Sequence, residues 1–514
     1  MFRSAHVGLA VGLACLVVIG CSGAAYPTSA PAQPPDQHPW PPRVPPAVTP
    51  VPPPWPTKAP YRDVEFEDAG VNPFVDPLRD PFSTFAMDVD TASYSIARRF
   101  IEDGHLPDRD SVRLEEFVNS FDYDYPPPAD GAFAIHVDGA PSPFIGSRAV
   151  LLRVGIQARE VADAARPPVA LTFVIDTSGS MQMENRLELV KNALILLVAR
   201  LRADDSVAIV EFGSDARTVL TPTSAAEPEA IIAAISHLTA GGSTNAQAGL
   251  ELGYDIAARG HRPGAFDRVV LASDGVANVG LTDADSILQR IDREVEAGIE
   301  LVSIGVGMGN FNDVLLEQLA DRGNGFYAYI NDRREAERVF GSELTGTLLT
   351  VASDARIQVE FRSDSVVRYR LLGYENRRMA DEDFRNPAAD AGEVGAGHSV
   401  TALYEIEPAW TRGGFLGTVR MRWLDPLTGR EEQLLRDIDL ADLADDYYSA
   451  GPSFRLAATV AGFAEILRDS PYATGFTLDD VSREATALSS SFDGRVEVLE
   501  FAHLAQSAAR LAGR

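Results

Sequence analysis

The sequence predicts a doubly wound α/β domain with one antiparallel edge strand, inserted between flanking regions that form a mainly β, sandwich-like domain plus helices. Three observations predict it. Between about residues 167 and 345, near-continuous apolar strands alternate with helices, which is the pattern of a parallel sheet covered on both faces. Within that stretch, "SVAIVEFGSDARTVL" leaves only Gly213-Ser214-Asp215-Ala216 between two strand-like runs, so they must form a hairpin and add one antiparallel strand. On either side lie further strand-like runs: "FAIHVDG" and "AVLLRVGIQA" before, "RIQVEF", "VRYRLLGYENR", "SVTALYEIEP" and "LGTVRMRWL" after. Two strands alone cannot bury a core, so residues 131–160 and about 350–440 are expected to build one unit, with one wet sheet face in "RIQVEF" and "TVRMRW".

In chain order, residues 1–20 come first. "MFRSAHVGLAVGLACLVVIGC" has one basic residue, Arg3, and then an apolar stretch from Val7 to Gly20. That is shorter than the roughly 20 apolar residues of a membrane span and has the shape of a secretory signal. Its end, "VIGC", resembles the bacterial lipobox, which implies that Cys21 is lipidated and becomes the mature N-terminus. The only other cysteine, Cys15, would leave with the signal, so the mature chain would contain no disulfide. Residues 21–60 are dense in proline and should behave as an extended, semi-rigid tether. Ser22 follows the lipid cysteine where lipoproteins kept in the inner membrane commonly carry Asp. The expected location is therefore the cell envelope, lipid-anchored, at the outer membrane if the host has two.

Residues 61–166 are turn-rich, with helices expected over Tyr94–Ile101 and Ser111–Phe121 and then two strands. Residues 167–345 carry the strands "ALTFVI", "SVAIVEF", "RTVL", "RVVLAS", "ELVSIGVG" and "GFYAYI". Between the first two, Leu187, Val190, Leu194, Leu197 and Leu201 recur at helical spacing, and Ile195 and Val198 make the other face apolar as well. Residues 346–514 return to strands and end in helices. The net charge of −29 argues against nucleic acid as a partner, because phosphate would be repelled.

Ligands of a doubly wound sheet sit beyond the carboxyl ends of its strands. "LTFVIDTSGSM" ends its strand at Asp176, and Ser178 and Ser180 follow on a tight loop that Gly179 lets bend. Thr244 stands just before a helix in "TAGGSTNAQAGLELG", and "VVLASDGVANVG" ends its strand in a second carboxylate, Asp274. Asp176, Ser178, Ser180, Thr244 and Asp274 are hard oxygen donors with only two charges, a set that suits Mg²⁺, with Mn²⁺ or Ca²⁺ as alternatives. An ion held so sparingly stays electron-poor, and a partner's carboxylate could replace one of its waters.

This pattern resembles the metal-ion-dependent adhesion site (MIDAS) of von Willebrand factor type A (VWA) domains, over about residues 167–345. The flanks, in "STFAMDVDTASYSIARRFI" and "YRLLGYENR…DAGEVGAGHSVTALYEI", resemble bacterial YfbK-type lipoproteins. The resemblance implies metal-dependent binding of a protein ligand in the cell envelope, and no established reaction. The rival is an enzyme. Asp88-x-Asp90-Thr91 resembles motif I of haloacid-dehalogenase-type phosphatases, in which the first aspartate is the nucleophile and the second a general acid. Against it, the lead-in strand is short, no βαβ series follows before residue 167, and Asp88 and Asp90 read more simply as anchors of the helix after them. A structural lipoprotein without a metal-dependent ligand is the third reading. Met181, Gln182, Met183 and Asn278 are expected at the rim of the site.

Overall fold

A computed structural model describes residues 66–513, apart from 67, 88–89, 142, 144–148, 263, 276–286, 288, 290–291, 308–312, 343–345, 347–348, 387–388, 390 and 410–413. The signal, the tether with Cys21, and also Asp88 and Asn278 lie outside the described residues. The chain opens with β1 (Phe82–Ala86), α1 (Ala92–Glu102), α2 (Leu114–Asn119), β2 (Phe133–Pro141) and β3 (Val150–Ala158). A central domain follows, with β4 (Val169–Asp176), α3 (Arg186–Val198), β5 (Ser206–Phe212), β6 (Ala216–Ser224), α4 (Pro228–Ser236), α5 (Ala246–Gly260), β7 (Phe266–Ser273), β8 (Glu300–Val306) and β9 (Tyr327–Ile330). After it come β10 (Thr350–Phe361), β11 (Val366–Leu372), β12 (Gly392–Gly395), β13 (Ser399–Pro408), β14 (Phe415–Leu424) and β15 (Glu431–Asp439). Helices Pro452–Leu467, Leu478–Ser489 and Val496–Ala512 end the chain.

The central strands form one sheet in the order β6-β5-β4-β7-β8-β9. All neighbours are parallel except β5 and β6, the hairpin the short connection demanded. Alternation along β4 feeds two cores. Leu171, Phe173 and Ile175 pack with Leu187, Val190, Leu194 and Leu197 of α3. Val174 packs on the other side with Leu250 and Tyr254 of α5. That second face is also covered by Ala92, Ile96 and Phe100 of α1, a helix supplied by the preceding flank. Each such side chain contributes about 1.5–3 kcal/mol by leaving water, so the sheet is held from both faces.

The flanks build two more sheets, and each mixes strands from before and after the central domain. One runs β1-β10-β14-β15 with β12 beside β10, and the other runs β11-β13-β3-β2. Their facing residues, among them Phe85, Leu152, Val154, Ile357, Val419 and Tyr404, form a single core, so the central domain is inserted in a sandwich. The opposite face of β3, β11 and β13, with Leu151, Leu372 and Leu403, packs under α1, α2 and the three final helices. That makes three layers, and it explains why every residue of β3 is buried.

The expected wet face of β10 and β14 is covered at one end, while Glu360 and Arg420 at the other stay partly exposed. Arg356 donates to the carbonyls of Asp383, Asn386 and Ala389, and Arg422 donates to that of Phe384, so the segment after β11 lies across these strands. These arginines anchor loop carbonyls instead of meeting water. Three strands escaped the sequence reading, the four-residue β12 among them. β1 has five residues in a turn-rich stretch, and β15 ("EEQLLRDID") is a largely exposed edge whose charges mask its period.

Candidate metal centre

The parallel register places the carboxyl ends of β4 and β7 side by side, with Ile175 opposite Ala272. Asp176 and Asp274 thereby emerge together, and both are fully buried. The site is stitched from three loops. Ser273 Oγ donates to Asp176 Oδ2 at 2.7 Å, and the Ser178 amide donates to Asp176 Oδ1 at 2.8 Å. Ser178 Oγ and Ser180 Oγ stand 2.9 Å apart. The Gly179 amide donates to the Gly242 carbonyl at 3.0 Å and the Gly241 amide to the Thr177 carbonyl at 2.6 Å, so the loop carrying buried Thr244 is fastened to the loop carrying the serines. Asn245 then caps α5, its side chain accepting from the Ala248 amide. The five residues singled out by sequence thus lie on three loops tied together at one sheet edge.

The electrostatics are those of a site short of positive charge. Burial, reinforced by the charge of Asp274, pushes the Asp176 carboxyl up to about 6, against the opposing hydrogen bonds from Ser178 and Ser273. Asp274 Oδ2 accepts from Arg186 Nη1 at 2.8 Å, whereas its buried Oδ1 has no hydrogen-bond partner among the described residues. An orphaned buried carboxylate oxygen is costly and marks a place for an ion or a water. Among the described residues no three His, Cys, Asp or Glu side chains gather as a cation cluster. A hard cation needs no such trio when hydroxyls complete its oxygen set, and the donors present fit Mg²⁺ on that ground.

Sequence reasoning missed Arg186. A basic residue at the first turn of a helix reads as a solvent group, yet this one is buried on Asp274. The rim also needs correction. Met181 is fully buried in the core beneath the loop, whereas Gln182 and Met183 are exposed. Asp90 is not free for phosphatase chemistry: its Oδ1 accepts from the Tyr327 amide at 2.9 Å and its Oδ2 from Arg377 at 3.1 Å. It anchors the start of β9, and Thr91, the N-cap of α1, makes no side-chain cap bond.

The comparisons with known proteins fall along the same divisions. The family model described as "von Willebrand factor type A domain" matches residues 170–341. The one described as "Uncharacterized protein YfbK, C-terminal" matches 346–511, and one described as "von Willebrand factor" matches 60–152. YfbK of Escherichia coli (strain K12) is 37% identical over 435 residues, covering 79% of this chain and 74% of its own length. The chain belongs to the YfbK family. Inter-alpha-trypsin inhibitor heavy chain H3 of Homo sapiens is 26% identical over 261 residues, 47% of this chain and 28% of its own. Among solved structures, a von Willebrand factor type A protein from Catenulispora acidiphila aligns with a TM-score of 0.43 at 18% identity, covering 73% of this chain and 90% of its own. Type A domains typically mediate protein–protein interaction, and in this YfbK-family chain the domain occupies the centre of the sequence.

Proposed function

We propose that this chain is an envelope-anchored, protein-binding module whose type A domain takes a divalent cation, Mg²⁺ by its donor set or else Mn²⁺ or Ca²⁺, and through it a carboxylate of a protein partner. The observation that carries the reading is the pair of buried carboxylates at one sheet edge, Asp176 and Asp274, with Asp274 Oδ1 left without a hydrogen-bond partner among the described residues. Asp176, Ser178, Ser180, Thr244 and Asp274 would hold the ion. When bound, the ion supplies a Lewis-acidic site for an anionic oxygen. The chain's own part is to fix the donors: Ser273 and the Ser178 amide orient Asp176, and the bonds between the 177–179 and 241–242 backbones set the distance between the hydroxyl loops.

The anchor belongs to the same proposal. Cys21, lipidated behind a signal of residues 1–20, would hold the folded part off a membrane through the proline-rich tether, with the outer membrane as destination in a host that has two. Partner capture by the full-length wild-type chain, before and after chelator, and by Asp176→Ala tests the binding role. A partner retained with Mg²⁺, released by chelator and missed by Asp176→Ala supports it; retention indifferent to both contradicts it. Cys21→Ser should move the protein out of the membrane fraction, and a variant still sedimenting with membranes would contradict the anchor.

A further inference from the structure

Arg186 is the first residue of α3, and a cation there opposes the helix dipole, whose positive end lies at the N-terminus. Its position is nevertheless built with care. The side chain is 2% exposed, and Nη1 donates to Asp274 Oδ2 at 2.8 Å. The backbone bends to deliver it: Glu184 and Asn185, immediately before it, both take left-handed φ values of 50° and 58°. Such conformations are uncommon without glycine and cluster at functional sites. On the other side, Gly307 at the end of β8 has φ +79°, and a Cβ there would meet Arg186 Nε at 1.9 Å. The ends of β7 and β8 and the turn into α3 therefore form a slot for one guanidinium.

We propose that Arg186 is a resident counter-cation of the candidate metal site: it holds Asp274 Oδ2, keeps the pair of carboxylates compatible with a folded empty site, and lowers the affinity for a divalent ion. The inference rests on the cation reading above. Asp176 and Asp274 repel each other, and both are out of water, where an uncompensated charge is most costly. A fixed guanidinium relieves that repulsion without any ion. The same positive charge repels an arriving divalent ion and leaves Asp274 only Oδ1 to offer. The result is a site that tolerates being empty and releases its ion readily, as a reversible binding device requires.

The test uses the full-length chain, Mg²⁺ alone as ligand, titration calorimetry, and thermal unfolding in chelator. Arg186→Gln keeps a donor and loses the charge. It should unfold at a lower temperature than wild type in chelator yet bind Mg²⁺ about tenfold more tightly or better, since removing a like charge at close range outweighs the lost pair. Arg186→Lys keeps the charge and should stay within about threefold of the wild-type Kd, because an arriving ion is repelled by the positive charge whichever head group carries it. A residue that only packed the core would lower stability with and without Mg²⁺ and would not tighten binding. Unchanged or weaker binding by Arg186→Gln overturns the inference, as does equal tightening in Arg186→Lys. If Arg186→Gln does not fold even with Mg²⁺, Gly307→Ala, which evicts the guanidinium, takes its place with the same expected tightening and the same overturning result. A wild-type chain that binds no Mg²⁺ overturns the cation reading itself, which separates the two failures.

Discussion

Asp205, buried just before β5, accepts from Arg166 Nη1 and Nη2 at 2.9 and 2.6 Å, from the Val169 amide at 2.9 Å and from the Arg202 amide at 2.7 Å. Burial alone would raise its carboxyl, but these donors outweigh burial and hold it below its ordinary value of 3.8. A depressed carboxylate stabilises the fold above the unfolded value of 3.8, and that stabilisation is lost as pH falls through the lower folded one. Asp205→Asn should therefore cost about 3 kcal/mol at neutral pH, because buried Arg166 loses its buried two-pronged partner and keeps only the exposed Asp163 carboxylate. Urea unfolding should show the difference from wild type shrinking below about pH 4; a constant difference would contradict the assignment. At this scale the candidate ligands were legible because an apolar strand ending in Asp-x-Ser-x-Ser leaves few other uses for its oxygens. Arg186 was not legible. Its burial depends on two left-handed residues before it and a glycine more than a hundred positions later, and no local pattern shows either.

Helix α5 lies unusually close to the sheet, and glycines make the approach feasible. A Cβ at Gly253 would come within 2.4 Å of Val174 Cγ2, and one at Gly249 within 2.6 Å of the Phe212 ring. Because α5 begins two residues after Thr244, its seating on β4 and β5 sets where that hydroxyl stands. Gly253→Val should destabilise the protein by about 1–3 kcal/mol through overpacking and also weaken Mg²⁺ binding. Denaturant unfolding and calorimetry on the same sample check both effects, and a destabilised variant with wild-type Mg²⁺ affinity would separate α5 from the site. The long periodic elements, α3, α5 and the central strands, were legible because their burial follows the sequence period. β1, β12 and β15 were not, because pairing with β10 or β14, rather than their own pattern, makes them strands.

The whole molecule is not two flanks beside a domain. β10 pairs with β1 and β13 pairs with β3, so each flank supplies strands that the other needs. Residues 350–514 alone should therefore show no cooperative unfolding, whereas a chain joining residues 61–165 to 347–514 by a short linker should; circular dichroism during heating distinguishes them. A sharp transition from 350–514 alone, unchanged when 61–165 is added, would contradict the shared sandwich. The joined chain should still be less stable than the full protein, because α1 buries Ile96 and Phe100 against the central sheet. The insertion was foreseeable from strand counts, but that contact was not: nothing in "ASYSIARRFIE" says which of two domains its apolar stripe will meet. The contact also means that the central domain is best measured within the full chain. There, the most direct test is Mg²⁺ titration after chelator treatment, followed by calorimetry and thermal unfolding of wild type and Asp176→Ala. A site that binds only in the folded state gains about 2.7 kcal/mol at a hundredfold excess over Kd. The wild type should therefore melt several degrees higher with Mg²⁺ and Asp176→Ala should not, whereas an equal rise in both, or none in the wild type, would contradict a metal centre at Asp176.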